Sequence, residues 1–346
     1  MRLAIARCFS LVALSVLLPL LGRTASTQAG VSASTQLIKK VPKNVVIVKG
    51  AWSSEDDASA PVPEDSTVTK GIFRDPYFGI TYAFSKEWVE RYPGPPPSDS
   101  GRYVLAELSR PESYKGDARG NILITAQDLF FSPTPVSNAV EMVNYSKDHL
   151  QSDYKLEGES AKTVIDGHTF MTLAYWSPVA QLHWSVIATE IRCHAVEFVF
   201  MNRDPKMLAS TVQQAGAMKL PSNANPDGSA GGNGFPVCIK DYARGPNLIA
   251  RVDPISSEPR FNPVPVRVII GKNGKVKHIH FLSAFPDQAS AITEALRQWK
   301  FRPYLQDGET VEVETGIMFG RAARPAFPTR SVAPISPMQA ARRTDP

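Results

Sequence analysis

Hydrophobic and polar positions alternate, or gather into short apolar blocks, at Tyr77–Phe84, Arg102–Leu108, Ile122–Leu129, Thr169–Tyr175, Trp184–Ile191 and Val196–Met201. Blocks of that length and period predict strands. Two stretches change to helical spacing. Val136–Leu150 brings Ala139, Val140, Val143, Tyr145 and Leu150 toward one face, with Ser137 or Asn138 as N-cap. Pro205–Met218 follows Asp204, an acceptor cap, and puts proline at the first helical position, where its missing N–H costs nothing. The pattern predicts an α+β domain in which an antiparallel sheet packs against helices.

A second pattern fills the last third of the chain. Pro265–Ile270 and Val276–Phe281 read as two strands around Asn273-Gly274, a pair that supplies the positive φ angles of a two-residue hairpin turn. An amphipathic helix through Ala291–Gln298 follows, and then Thr310–Phe319, again alternating apolar and polar. The element order is ββαβ.

Three segments lack either period. Residues 30–70 read as a mostly disordered linker, because the acidic, Pro-rich run from Ser53 to Asp65 has too little apolar surface to offset the entropy of ordering it. Residues 222–235, rich in Gly, Asn and Ser, read as a flexible linker, and 323–346 as a disordered tail. Residues 1–29 carry Arg2 and Arg7, an apolar run Phe9–Gly22 shorter than the ~20 residues of a membrane span, and small residues near Ala25–Ala29. They read as a secretory signal peptide, with membrane contact only if the leader is retained. The folded parts are then 71–221 and 236–322.

Composition narrows the class. Hydrophobic residues at 43% supply enough material for real cores, and a net charge of +5 without aromatic-interleaved basic stripes excludes a nucleic-acid binder. Beyond the leader only Cys193 and Cys238 remain. In an oxidising compartment they either pair, pinning the two halves together, or stay as two unrelated thiols, and sequence leaves both readings open.

The search for chemistry returns little. The sequence has no G-x-S-x-G, no G-x-x-x-x-G-K-[ST] and no H-E-x-x-H, so no catalytic residue, cofactor or metal is assigned. His278 and His280 are weak metal candidates, since alternate strand residues share a face, but an exposed polar face explains them as well. His183 and His194, with Glu190 and Glu197, are expected to neighbour one another across a hairpin. Tyr77, Phe78, Tyr82, Phe84 and Trp88 either line a pocket or fill a core. Glu55-Asp56-Asp57 is a solvated acidic run.

The motifs Asn273-Gly274-Lys275-Val276, Trp299-Lys300-Phe301-Arg302-Pro303 and Gly308-Glu309-Thr310-Val311 together resemble the C-terminal domain of the energy-transducer TonB family. The resemblance implies an envelope location and makes Asn273, Gly274, Trp299, Phe301 and Pro303 structural. The Pro-rich spacer of true TonB does not precede it, so the resemblance speaks for fold and compartment ahead of energy transduction. The opening Phe73-Arg74-Asp75-Pro76-Tyr77-Phe78-Gly79-Ile80-Thr81-Tyr82 with Trp88 loosely resembles the PsbP-like sandwich, whose members are mainly binding or assembly factors.

The resulting expectation is a non-enzymatic periplasmic or secreted protein. It would dock a protein partner of the cell envelope, such as an outer-membrane protein, by β-strand addition to an edge carrying Val311, Val313, Thr315 and Ile317. The alternative is a small-ligand-binding protein or enzyme with its site in 71–221, using His183, His194 and Glu190.

Overall fold

The computed structural model describes residues 62–92, 100–110, 120–221, 235–255 and 263–320. The leader, the acidic run 53–61, the segment 222–234 and the tail from 321 lie outside the described residues. The chain is α+β, mostly antiparallel sheets with three helices among the described residues.

Strands β1 (Thr67–Thr69), β2 (Ile72–Asp75) and β3 (Ile80–Ala83) form a small antiparallel sheet. They are followed by β4 (Val89–Tyr92), β5 (Arg102–Ser109), β6 (Gly120–Asp128), α1 (Ala139–Asp148), β7 (Lys155–Leu156) and β8 (Ala161–Ile165). Then come β9 (His168–Ser177), β10 (Leu182–Ile191), β11 (His194–Asn202) and α2 (Pro205–Ala215). The large sheet runs β4-β5-β6-β11-β10-β9-β7, with β8 also paired to β9. Both helices start where side chains satisfy the orphan amides: Asn138 Oδ1 accepts from Glu141 N–H at 2.8 Å, and Asp204 Oδ1 from Lys206 N–H at 2.8 Å.

Strand side chains alternate between faces. Phe198 and Phe200 of β11 go to one side, where β1–β3 and α2 cover them with Phe73, Tyr82, Leu208 and Ala215. Val199 and Met201 go to the other, under Val143 of α1 and Tyr154. Every residue of β11 is therefore buried.

Two expectations for this region change. Residues 62–70 belong to the fold: Val62 is buried, and Lys70 and Gly71, both at positive φ, make the two-residue turn between β1 and β2. The expected strand Tyr77–Phe84 begins only at Ile80, because Asp75 Oδ1 captures Phe78 N–H at 2.9 Å and Gly79 takes φ +66, turning Pro76–Gly79 out of the strand.

The C-terminal part adds β12 (Val237–Cys238), β13 (Leu248–Ala250), β14 (Val264–Ile270), β15 (Val276–Phe281), α3 (Pro286–Leu296), β16 (Lys300–Phe301), β17 (Tyr304–Gln306), β18 (Glu309–Val311) and β19 (Val313–Phe319). Its main sheet is ordered β12-β19-β14-β15. One face, with Val266, Val268 and Ile270, packs against Ile292 and Leu296 of α3 and against Trp299 and Phe301. The hairpin between β14 and β15 is not a two-residue turn. Residues 271–275 form it, only Gly274 has positive φ, and Asn273 Oδ1 accepts from Lys275 N–H at 3.0 Å. A side chain at 274 is excluded, since a Cβ there would lie 2.1 Å from the Phe301 carbonyl oxygen.

Strand β19 is not an edge along its whole length, because β12 covers its start. Val313 and Glu314 pair in parallel with β12, and all of Val313–Phe319 pairs with β14. Val311 lies in a separate ladder with β17. Val313 and Thr315 are buried, and Ile317 is partly buried against the core. A partner strand approaching through Val311, Val313, Thr315 and Ile317 would meet backbone already hydrogen-bonded at Val313 and Glu314, where β12 occupies the outer side.

Candidate ligand cavity and buried ion cluster

Two places gather polar chemistry. The first is a cavity of about 220 Å³ between the large sheet and α1. Leu123, Leu173, Val186 and Val199, from four neighbouring strands, form its apolar floor, while Val143 and Tyr154 close it from the helix side. Tyr175 lines it too and stacks on Trp184 at 5.3 Å. Within its lining, Arg102 of β5 and Glu197 of β11 face each other across β6: Arg102 Nη2 lies 3.5 Å from Glu197 Oε2, and Thr125 Oγ1 bridges them, accepting from Arg102 and donating to Glu197 at 3.3 Å each. Burial raises the Tyr175 hydroxyl above its usual range, and the Glu197 charge raises it further.

The second place lies where the other face of the C-terminal sheet meets the rim of the large sheet. Arg267 of β14 binds Asp128 Oδ2 at 2.6 Å and Glu314 Oε1 at 3.0 Å, and its Nη2 donates to the Arg192 carbonyl at 3.2 Å. Tyr77 donates to Glu314 at 3.0 Å, and the Arg192 guanidinium lies over the Tyr77 ring at 3.9 Å and 3.7 Å from Glu314 Oε2. Two guanidiniums thus oppose two carboxylates in a dry site. Burial lifts the Asp128 carboxyl and Arg267 draws it back. For Glu314 burial is outweighed by the charges of Arg267 and Arg192 and by hydrogen bonds from Arg267 and Tyr77, which hold it below its usual range. His194 Nδ1 lies 2.7 Å from the Arg192 carbonyl, so that nitrogen carries the proton, and burial followed by Arg267 keeps the ring neutral. Gly316 belongs to the same junction, because a Cβ there would lie 2.5 Å from Phe130 Cβ.

The turn that delivers Arg192 is unusual: Arg192 and Cys193 both take positive φ, 48° and 61°, without a glycine. Cys193 is bonded to Cys238 of β12, with Cα atoms 5.6 Å apart. The disulfide and the ion cluster fasten the two parts of the chain at one point, and this decides between the two readings that the cysteines left open.

The expected site residues scatter. His183 pairs with Asn202 and His194 with Ile191, so they stand at opposite ends of one hairpin, about 25 Å apart at ~3.3 Å per residue. His183 instead meets Glu157 at 2.9 Å and stacks on Trp176. Glu190 sits at the start of α1, where Ala139 N–H bonds it and burial pushes it up to about 7. His280 is not exposed: it is buried beside Glu64, 3.4 Å away, while His278 opposite Ile269 is half-buried. No group of three or more metal-ligating side chains occurs among the described residues. Tyr77, Phe78, Tyr82, Phe84 and Trp88 are all core, away from the cavity. Trp299 donates its indole N–H to the Val252 carbonyl at 2.7 Å, Phe301 is buried beside it, and Pro303 follows, exposed, near Gly274. Sequence reasoning missed Arg102, Thr125 and Asp128 entirely, and Glu197 was noted only beside His194. Their one signal is a charged or polar residue inside an otherwise apolar strand, at Glu197 and Asp128 above all.

No protein-family model and no curated protein matches this chain. The likeness of 236–322 to the TonB C-terminal domain finds no support in these comparisons. Among solved structures, the chain is similar to cyanobacterial PsbP (CyanoP) from Synechocystis sp. PCC 6803, known from a solution structure. That similarity covers 45% of this chain and 95% of that one, at 16% identity and a TM-score of 0.33.

Proposed function

We propose that this chain is an exported, non-enzymatic protein that binds a small, mostly apolar ligand in the cavity between α1 and the large sheet. The observation that carries the reading is the cavity itself: an apolar floor from four strands, tyrosine walls, and polar groups from the strands, such as Arg102, Gln127 and Glu197, and from the α1 side, such as Ser146, His149 and Gln151. Ligand sites have that make-up. Its volume, about 220 Å³, exceeds the ~150 Å³ that admits benzene and falls below the ~300 Å³ where drug-sized sites begin. The ligand is therefore about one ring or one branched chain in size. Binding is favoured over catalysis because Glu197 faces Arg102 and Thr125, and His149 contacts the Tyr145 carbonyl, an arrangement that orients a ligand without relaying a proton. The Cys193–Cys238 bridge supports an oxidising compartment, in line with the leader. Docking of an envelope partner by strand addition is not the reading preferred, since Val311 is paired with β17 and Val313 lies between β12 and β14, which leaves only the outer side of the strand from Thr315 onward without a strand partner among the described residues.

The test is chemical-shift mapping of the full-length chain with a set of one-ring and short-chain compounds. Binding should move signals of Tyr154, Tyr175 and Val199, and Val199→Phe, which fills the floor, should abolish it in a folded protein. Shifts confined to other surfaces, or unaffected by Val199→Phe, would reject the cavity as the site.

A further inference from the structure

The charged side chains that line the cavity among the described residues are Arg102 and Glu197, and they are engaged with each other and with Thr125. His149 lines it as well, as an exposed ring stacked on Tyr145 at 3.9 Å. An ion entering from water would give up its hydration and find each opposite charge already taken, and the apolar floor offers no replacement. The lining therefore favours an uncharged ligand. One neutral polar group in it is left over. Tyr175 is 7% exposed, its ring is fixed by stacking on Trp184 at 5.3 Å and by an edge contact with Tyr154 at 5.7 Å, and among the described residues its hydroxyl makes no hydrogen bond. Buried hydroxyls as a rule have a partner. The Trp184 indole N–H also lacks one, but it is sealed in packed atoms, whereas Tyr175 lines the cavity. Burial, and after it the Glu197 charge, keeps the Tyr175 phenol protonated, so it has a proton to donate, and the same carboxylate repels a negatively charged oxygen brought beside it. A neutral oxygen acceptor meets both conditions.

We propose that the cavity binds a neutral one-ring or branched-chain alcohol or ketone, its oxygen accepting from the Tyr175 hydroxyl and its hydrocarbon part against Leu123, Leu173 and Val199. The inference rests on the reading of the cavity as the functional site and names the class of ligand for it. A hydrocarbon of the same size leaves the hydroxyl unpaired. A carboxylate meets Glu197, and an ammonium brings a charge that only Glu197, already facing Arg102, could balance.

Chemical-shift titration of the full-length chain with benzyl alcohol, acetophenone, toluene, benzoate and benzylamine tests it. Benzyl alcohol and acetophenone move the Tyr154 and Val199 signals, while benzoate and benzylamine, both charged at neutral pH, bind about tenfold more weakly or worse. Tyr175→Phe keeps the ring stack and removes only the hydroxyl. It weakens benzyl alcohol and acetophenone about threefold to tenfold, as for one net hydrogen bond, and leaves toluene unchanged. If Tyr175→Phe affects toluene and benzyl alcohol alike, or if either charged compound binds as tightly as benzyl alcohol, the ligand class is wrong and the cavity remains a site for other small molecules. If none of the five moves those signals while other small compounds do, the class again fails alone; if nothing binds, the cavity reading fails with it. Should Tyr175→Phe not fold, the wild-type ranking of neutral oxygen compounds over charged ones decides by itself.

Discussion

The same chemical pair, an arginine and a carboxylate brought together from strands that are not adjacent, occurs twice in this molecule under opposite conditions. At the junction of the two sheets, Arg267 and Asp128 are 2.6 Å apart with side chains 2% and 0% exposed. At the cavity, Arg102 and Glu197 are 3.5 Å apart with side chains 32% and 11% exposed. The first pair is densely partnered: Glu314 and the Arg192 carbonyl also bind Arg267, Tyr77 donates to Glu314, and two positive charges balance two negative ones, although Glu314 Oε2 and Arg192 Nε make no hydrogen bond. Burial makes such a set costly to disturb and leaves it nothing to offer a ligand. The second has a longer separation and lines the cavity, where solvent reaches it. Distance and burial, more than residue type, separate a buried ion cluster from a partly solvated pair.

The comparison is broken most easily at the dry cluster. Arg267→Met leaves Asp128 and Glu314 buried with one guanidinium fewer, and should cost about 3–5 kcal/mol in urea unfolding of the full-length chain. A loss under about 1 kcal/mol would mean that water reaches the cluster and that the two pairs do not differ in kind. Next is the disulfide beside it. It closes a loop with a sequence separation of 45, for which chain entropy predicts about 4 kcal/mol, with about 2–4 typical of measured bridges. The double change Cys193→Ser, Cys238→Ser should show a loss of that order. It should also make the C-terminal part more susceptible to proteolysis after cleavage in 222–234, while the intact bridge keeps both fragments together until reduction.

Legibility in the sequence followed how local the cause was. The strands at 102–108, 122–129, 169–175, 184–191 and 196–201 and both helices of the first part were readable, because period and caps are local signals. The hairpins β1–β2 and β8–β9 were not read, although Lys70-Gly71 and Asp166-Gly167 make their two-residue turns. The first strand of each, β1 and β8, is short or mostly exposed and shows no sustained apolar alternation. The position of β19 was unreadable for a different reason. Whether the start of β19 is an edge depends on β12, a two-residue piece from far upstream in the chain, as the bond from Thr315 to the Lys240 carbonyl, 75 residues away, illustrates. The cavity was the least legible feature. Arg102, Thr125 and Glu197 meet only because β11 returns to lie beside β6, and no spacing rule brings those three together.

A smaller effect sharpens the comparison through pH. Glu190 lies on the cavity face of the large sheet, and burial pushes its carboxyl from an ordinary 4.5 up to about 7, against the bond from Ala139 N–H. The unfolded chain ionises this group from about pH 4.5 upward, whereas the folded chain keeps the proton to about 7. Its contribution to stability is therefore full below 4.5 and lost as pH rises to 7. Discounted for partial exposure, the loss is about 1 kcal/mol, and Glu190→Gln should remove it. Glu314 in the dry cluster works in the reverse direction, since its pKa is lowered and its contribution is lost on acidification. Unfolding free energies of wild type and Glu190→Gln at pH 4.5 and 7.5 decide: a difference between the two proteins that does not change with pH would show that Glu190 titrates normally.

The smallest expected effect tests the cavity pair itself. Arg102 is about one-third exposed and its bond to Glu197 is long, so Arg102→Met should change stability by less than about 1 kcal/mol, as for other partly solvated ion pairs. Its aliphatic stem can be replaced by the methionine side chain, and Thr125 still donates to Glu197. The chemistry of the pair predicts more than its energy does. A change that costs almost nothing in folding should nonetheless alter which small molecules the cavity accepts, whereas Arg267→Met should damage folding first. If Arg102→Met instead destabilises the chain as much as Arg267→Met, the cavity pair is structural as well, and the separation drawn between the two arginines fails at its weaker member.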